Sequence, residues 1–156
     1  MMLTIGNKVP SFSLPANGGK HIDEKDLLGK NTILYFYPKD NTPGCTSEAK
    51  DFTALKDDFA KLNTQIIGVS ADNVTSHERF IEKQDLDIQL ISDEYKKLIE
   101  AFGAWGEKKN YGKIYFGLIR STFLINTKGE IIAEWRNVRA KGHAERILKE
   151  ATALLS

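Results

Sequence analysis

The chain has 156 residues, 41% of them hydrophobic and 28% charged, with 22 Lys and Arg against 21 Asp and Glu for a formal charge of +1. That length and balance read as one domain, residues 1–156, able to bury a core, with no electrostatic case for nucleic acid or an anionic membrane surface. No apolar run approaches the ~18 residues of a membrane span, Met1 to Pro10 lacks the regions of a secretory leader, and one cysteine cannot close an internal disulfide, so a cytoplasmic protein is expected.

The run Thr32-Ile33-Leu34-Tyr35-Phe36-Tyr37 is β-branched and aromatic and stops at Pro38, which predicts a buried central strand. A helix follows, its apolar stripe of Ala49, Phe52, Leu55, Phe59 and Leu62 reaching one turn back to Cys45. Thr42 suits the N-cap, Pro43 the first helical position, and Gly44 allows the backbone to approach a ligand. Gln65 to Ser70 predicts a second strand, parallel to the first across that helix. Thr75 and Glu78 form a capping box for a helix to about Lys83, followed by a strand at Ile88 to Ile91 and a helix around Tyr95 to Phe102. Glycines, lysines and Asn110 between Trp105 and Tyr115 read as an exposed loop. Arg120 to Asn126 and Glu130 to Trp135 alternate as strands around a turn at Gly129, and a last amphipathic helix covers about His143 to Leu155, with Ile147, Leu148, Ala151 and Leu154 facing the core. A βαβ unit followed by a hairpin and a terminal helix gives an α/β, thioredoxin-like fold, a central mixed β-sheet flanked by helices.

Cys45, the only cysteine, therefore falls in the first turn of a helix that follows a central strand. Unpaired N–H groups and the positive end of the helix dipole favour a thiolate there. A lone cysteine is more often a buried, inert one. The strand-to-helix junction, where α/β sheets place their active sites, reverses those odds. Thioredoxins carry Cys-x-x-Cys at this junction, and here the first position is Thr42: a hydroxyl beside a thiolate binds a small polar substrate without itself being oxidised.

Pro38, Thr42 and Cys45 also match the Pro, three residues, Thr or Ser, two residues, Cys signature of the peroxiredoxins. Asp40 to Glu48, Trp105 to Lys109 and Arg120 to Ile125, in that order, resemble the bacterioferritin comigratory protein subgroup, or peroxiredoxin Q, over nearly the whole chain. The resemblance implies a thiol peroxidase acting on hydrogen peroxide and organic hydroperoxides. It makes Cys45 the peroxidatic nucleophile, Thr42 and Arg120 its partners and Pro38 a shield against water, with Glu48 a candidate anchor for Arg120. Many members carry a resolving cysteine where this chain has Lys50, others in the next helix, where Glu82, Lys83 and Gln84 stand. The chain thus reads as a one-cysteine variant whose sulfenic acid is reduced by an external thiol, thioredoxin or glutaredoxin with glutathione, and the resemblance favours a monomer.

No cofactor is expected, since no Gly-x-Gly-x-x-Gly fingerprint follows a strand. No metal is expected either, because His21, His77 and His143 are scattered and read as surface residues. Trp105 and Trp135 read as packing or rim aromatics. Two other classes stay open: a Cys45–His77 hydrolase, and a non-catalytic redox sensor or partner-binding domain, which the missing second cysteine keeps in view.

Overall fold

The central strand forms where the apolar run predicts it. A computed structural model describes residues 2–156, in chain order β1 (Ser13–Ala16), β2 (Lys20–Asp23), β3 (Asn31–Phe36), α1 (Pro43–Ala54), α2 (Lys56–Ala60), β4 (Thr64–Ser70), α3 (Val74–Gln84), β5 (Gln89–Ser92), α4 (Lys97–Ala101), β6 (Trp105–Asn110), β7 (Lys113–Leu118), β8 (Ser121–Ile125), β9 (Ile131–Trp135) and α5 (His143–Leu155). Every residue of β3 is buried. A strand covered on both faces has no polar side, which is why its sequence shows an apolar run instead of alternation.

The main sheet has the order β2-β1-β5-β4-β3-β8-β9. β3, β4 and β5 are parallel, and β8, β9, β1 and β2 join antiparallel, giving the mixed sheet of the thioredoxin-like fold. Alternation along β3 then divides the core. Ile33 and Tyr35 point with Tyr37 toward α1, α3 and α5, packing on Phe52, Phe80 and Ile147, whereas Leu34 and Phe36 point to the other face and pack with Phe102 and Phe123.

Four local expectations are corrected. The stripe from Ala49 to Leu62 is broken at Leu55 into α1 and α2, although Phe52 and Phe59 stay fully buried. The cap of α3 is Asn73, whose side chain accepts from the Ser76 N–H at 2.8 Å, and not the Thr75–Glu78 box. Residues 105–115 are no loop: β6 and β7 pair antiparallel, apart from the main sheet, across a two-residue turn at Tyr111 (φ 51°) and Gly112 (φ 79°). Two positive φ values in a two-residue hairpin mark a type I′ turn, which matches strand twist. His77 and His143, expected at the surface, are both fully buried.

The β1–β2 hairpin was absent from the sequence expectations, although Asn17-Gly18-Gly19, with both glycines at positive φ, is a turn signal. No helix among the described residues is long and apolar enough to cross a membrane.

Candidate active site

The end of β3 determines what lies beside Cys45. β8 runs antiparallel to β3 with Phe36 opposite Ser121, so Arg120, one residue earlier, stands next to the point where the chain leaves β3 for α1. Pro43 opens α1, and the Thr46 N–H closes on the Thr42 carbonyl at 2.8 Å. Cys45 is third in the helix, 1% exposed, with its inner side against the Tyr35–Phe52 core.

Thr42 stands at the N-cap by backbone, but its side chain does not cap. Its hydroxyl donates to the Lys39 carbonyl at 2.8 Å, and no side chain takes a first-turn N–H. The N–H groups of Gly44 and Cys45, orphans by their place in the helix, are thus left for a ligand. With its proton committed to Lys39, the Thr42 oxygen also presents lone pairs, the form needed to accept a hydrogen bond from a hydroperoxide O–H.

Arg120 bridges Glu48 and Cys45. Its Nη1 donates to Glu48 Oε1 at 2.5 Å and its Nη2 to Cys45 Sγ at 3.3 Å. Glu48 is one turn after Cys45 on the same helix, fully buried, and its Oε2 has no partner among the described residues. Burial pushes Glu48 up to about 7, against the lowering pull of the Arg120 charge and hydrogen bond. A carboxylate paired through one oxygen only does not recover its whole desolvation cost. Burial works against the charge of Arg120 as well, but there the neighbouring Glu48 and Cys45 outweigh it and hold the guanidinium above its ordinary value. The two directions are consistent with unequal exposure: the Arg120 side chain is 15% exposed, that of Glu48 0%. Arg120 is therefore a permanent cation next to the sulfur.

The sequence singles out Gly44 for a close approach of ligand; in the structure a Cβ there would lie 3.3 Å from Arg120 Nη2, so glycine keeps room for the guanidinium. One contributor was not singled out by sequence reasoning. Lys108, on the β6–β7 hairpin, donates to the Leu118 carbonyl at 2.9 Å; burial and Arg120 lower it while Cys45 raises it, so it lies within electrostatic reach of the sulfur. Its position is invisible without the hairpin register.

The structure removes the hydrolase arrangement. His77 Nδ1 is hydrogen-bonded with Asp40 Oδ2 at 2.8 Å and Nε2 with the Ile91 carbonyl at 2.9 Å, leaving neither nitrogen for Cys45. Oxygen and nitrogen atoms of Asp40, Asp72 and His77 lie within 4.8 Å of one another, a spacing that would suit a cation, although Asp40 Oδ2 and Asp72 Oδ2 already accept from protein donors. His21 remains exposed.

A thioredoxin-like sheet that presents one thiol where thioredoxins present two has the architecture of the peroxiredoxins, which are thiol-dependent peroxidases. Comparison with known proteins gives the family: residues 5–134 match the AhpC/TSA family, and the chain belongs to it, in the bacterioferritin comigratory protein branch. A peroxiredoxin of Helicobacter pylori is 50% identical over 147 residues, 94% of this chain and 97% of that protein. The Xanthomonas campestris bacterioferritin comigratory protein, solved in work on its alkyl peroxide reduction, superposes with a TM-score of 0.88 at 40% identity, covering 93% of this chain and 92% of its own. A yeast mitochondrial one-cysteine peroxiredoxin, solved for its thiol resolution by glutathione and thioredoxin systems, superposes with a TM-score of 0.83 at 27% identity, covering 98% of this chain and 76% of its own.

Proposed function

We propose that this peroxidase reduces hydrogen peroxide and small organic hydroperoxides at Cys45, and that an external thiol, thioredoxin or glutaredoxin with glutathione, completes its cycle in the cytoplasm. The observation that carries the reading is the Arg120 guanidinium held on Cys45 Sγ by a buried Glu48. Two of its N–H groups are engaged there, and the rest of the fork is free to take a peroxide oxygen. In this reading the Thr42 oxygen and the N–H groups of Gly44 and Cys45 bind the remaining peroxide atoms, and the half-buried Pro38 keeps water away.

In the proposed step the Cys45 thiolate attacks one peroxide oxygen. A sulfur–oxygen bond forms as the oxygen–oxygen bond breaks, and the leaving oxygen takes a proton to depart as water or alcohol. Charge grows on that oxygen as the bond stretches, so donors fixed in advance supply the acceleration. Cys45 is left as a sulfenic acid. An external thiol then forms a disulfide with it, releasing water, and a second thiol restores Cys45.

Lys50 is exposed, and the protein has no second cysteine. At 1% exposure Cys45 is out of reach of a bulky thiol, so the first turn of α1 has to open before resolution. The Xanthomonas structure's link to alkyl peroxides and the yeast protein's link to glutathione and thioredoxin support these two choices.

Stopped-flow oxidation of the wild-type protein by hydrogen peroxide at neutral pH, with sulfenic acid confirmed by mass spectrometry, tests the reading. Oxidation orders of magnitude faster than a free thiol is expected. Free-thiol rates would overturn it in favour of a redox sensor.

A further inference from the structure

Between β3 and α1, Tyr37 continues the buried strand run, and Asp40 is the one later residue tied deeply into the rest of the molecule; the chemistry described above uses neither. In 37–42, Tyr37 ends the strand run, Lys39 and Asn41 are exposed, Pro38 and Thr42 are half-buried, and Asp40 is 6% exposed. Its carboxylate makes three side-chain hydrogen bonds: Oδ1 accepts from Tyr37 Oη at 2.6 Å, Oδ2 accepts from Ser76 Oγ at 2.8 Å, and Oδ2 is paired with His77 Nδ1 at 2.8 Å. Its backbone N–H donates to Asp72 Oδ2 at 2.9 Å, and Asp72 is itself fixed by the Ser70 hydroxyl at 2.7 Å. His77, fully buried, is pinned from behind through Nε2 on the Ile91 carbonyl at 2.9 Å. Two residues of α3 thus meet on one loop carboxylate, five residues before Cys45, with β4 steadying the Asp40 backbone through Asp72 and β5 steadying His77.

The next residue, Asn41, takes φ 60° and turns the chain into Thr42 and α1. Thr42, the one other side chain among residues 38–42 with a hydrogen bond, holds Lys39 inside the same loop and gives no anchor to the body of the protein. The first turn of α1 is therefore placed, on its upstream side, by Asp40.

We propose that the Asp40–His77 pair is a latch: Asp40 is a positioning residue that holds the Pro38–Gly44 loop, and with it Cys45, in the peroxide-reactive arrangement, and release of the latch admits the external thiol to oxidised Cys45. This rests on the proposed function for its two reaction steps, and it adds the groups that hold the loop between them. Attack on peroxide needs Thr42, Arg120 and the first-turn N–H groups held together, where a displacement of an ångström costs up to about 100-fold in rate. Resolution needs a sulfur that is 1% exposed to come out. A latch made of hydrogen bonds to one carboxylate serves both, because the loop opens by releasing Asp40 while α3 and the sheet stay intact.

The test uses Ser76→Ala, which removes one donor and leaves His77 in place, and Asp40→Asn, which weakens all three side-chain bonds. The control is Asn126→Ala, which removes the side-chain acceptor of the β8–β9 turn and touches neither Asp40 nor any of its partners. Three quantities are read for each: the rate of Cys45 oxidation by hydrogen peroxide, the rate at which the sulfenic acid forms a mixed disulfide with glutathione, and urea stability. The latch requires slower oxidation and faster mixed-disulfide formation, several-fold in Ser76→Ala and roughly 10- to 100-fold in Asp40→Asn, with wild-type rates in Asn126→Ala despite its lower stability. Wild-type rates in both Asp40-directed variants, or the same changes in Asn126→Ala, would overturn it. Failure of the proposed function shows separately, as slow oxidation of the wild-type protein. In that event alkylation of reduced Cys45 by a bulky thiol reagent decides the latch, faster in the variants if it exists and unchanged if it does not.

Discussion

Arg120→Lys separates a cation acting on the reaction from one that merely fills a strand edge. Arg120 reaches Glu48 with one nitrogen and Cys45 with another. A lysine ammonium is a single point donor on a flexible stem and cannot hold both geometries. It keeps the charge opposite Glu48, the buried partner whose abandonment would cost most, so the stability loss should be about 1 kcal/mol. The bond lost is the charge-assisted one at the sulfur, together with the donor aimed at the peroxide. A hydrogen bond to a charged group contributes about 1.5 to 3 kcal/mol. If that full amount is expressed at the transition state, the oxidation rate falls by about 10- to 150-fold. Stopped-flow oxidation by hydrogen peroxide, followed by tryptophan fluorescence from Trp105 and Trp135, gives the rate, and urea unfolding gives the stability. A rate within about threefold of wild type, or a rate loss no larger than the stability loss when both are written as free energies, refutes the role.

Thr42→Ser should keep peroxide oxidation near wild type, whereas Thr42→Val, which removes both the bond to Lys39 and the acceptor lone pairs, should lose it; an active Val variant would leave Thr42 a structural role only. Glu48 and His143 give opposing pH dependences of stability. Glu48 is raised from 4.5 to about 7, so the folded state holds its proton more tightly and the associated stability, full below 4.5, is lost as pH rises to about 7. His143 is lowered from 6.5 to about 4 by burial, then by Arg146 and Arg120; its contribution is full above 6.5 and is lost as pH falls toward 4, at most roughly 3 kcal/mol. Urea unfolding between pH 4.5 and 6.5 should therefore show a shallow wild-type profile, a steeper loss on acidification in Glu48→Gln, and a gain on acidification in His143→Gln. Parallel profiles for all three proteins would contradict both assignments.

What was legible in the sequence was whatever depends on neighbours along the chain. The apolar run of β3, Pro43 and Gly44 at the start of α1 and the Gly129 turn are local patterns, and their elements form where those patterns place them. The Cys45, Glu48 and Arg120 cluster was half legible: helical spacing puts Glu48 one turn from Cys45, but Arg120 comes from 75 residues away through the β3–β8 register. The two buried histidines were misread because isolated polar residues look exposed until their partners are known. Those partners, Asp40 for His77 and Thr122 for His143, lie 37 and 21 residues off.

The β6–β7 hairpin was missed for a different reason. Its outward-facing Ile114 and Phe116 cross no buried surface, so they leave no alternation between core and solvent, and Lys108 and Lys109 read as loop residues. What holds the hairpin is its type I′ turn and its strand pairing, which composition does not report. Yet this element brings Lys108 within electrostatic reach of Cys45. The local sequence thus marks where the thiol sits, while the charges around it arrive through long-range register. The same division applies to the loop before Cys45: Asp40 reads as one more acid in a turn until α3 is seen to meet it, steadied by β4 and β5.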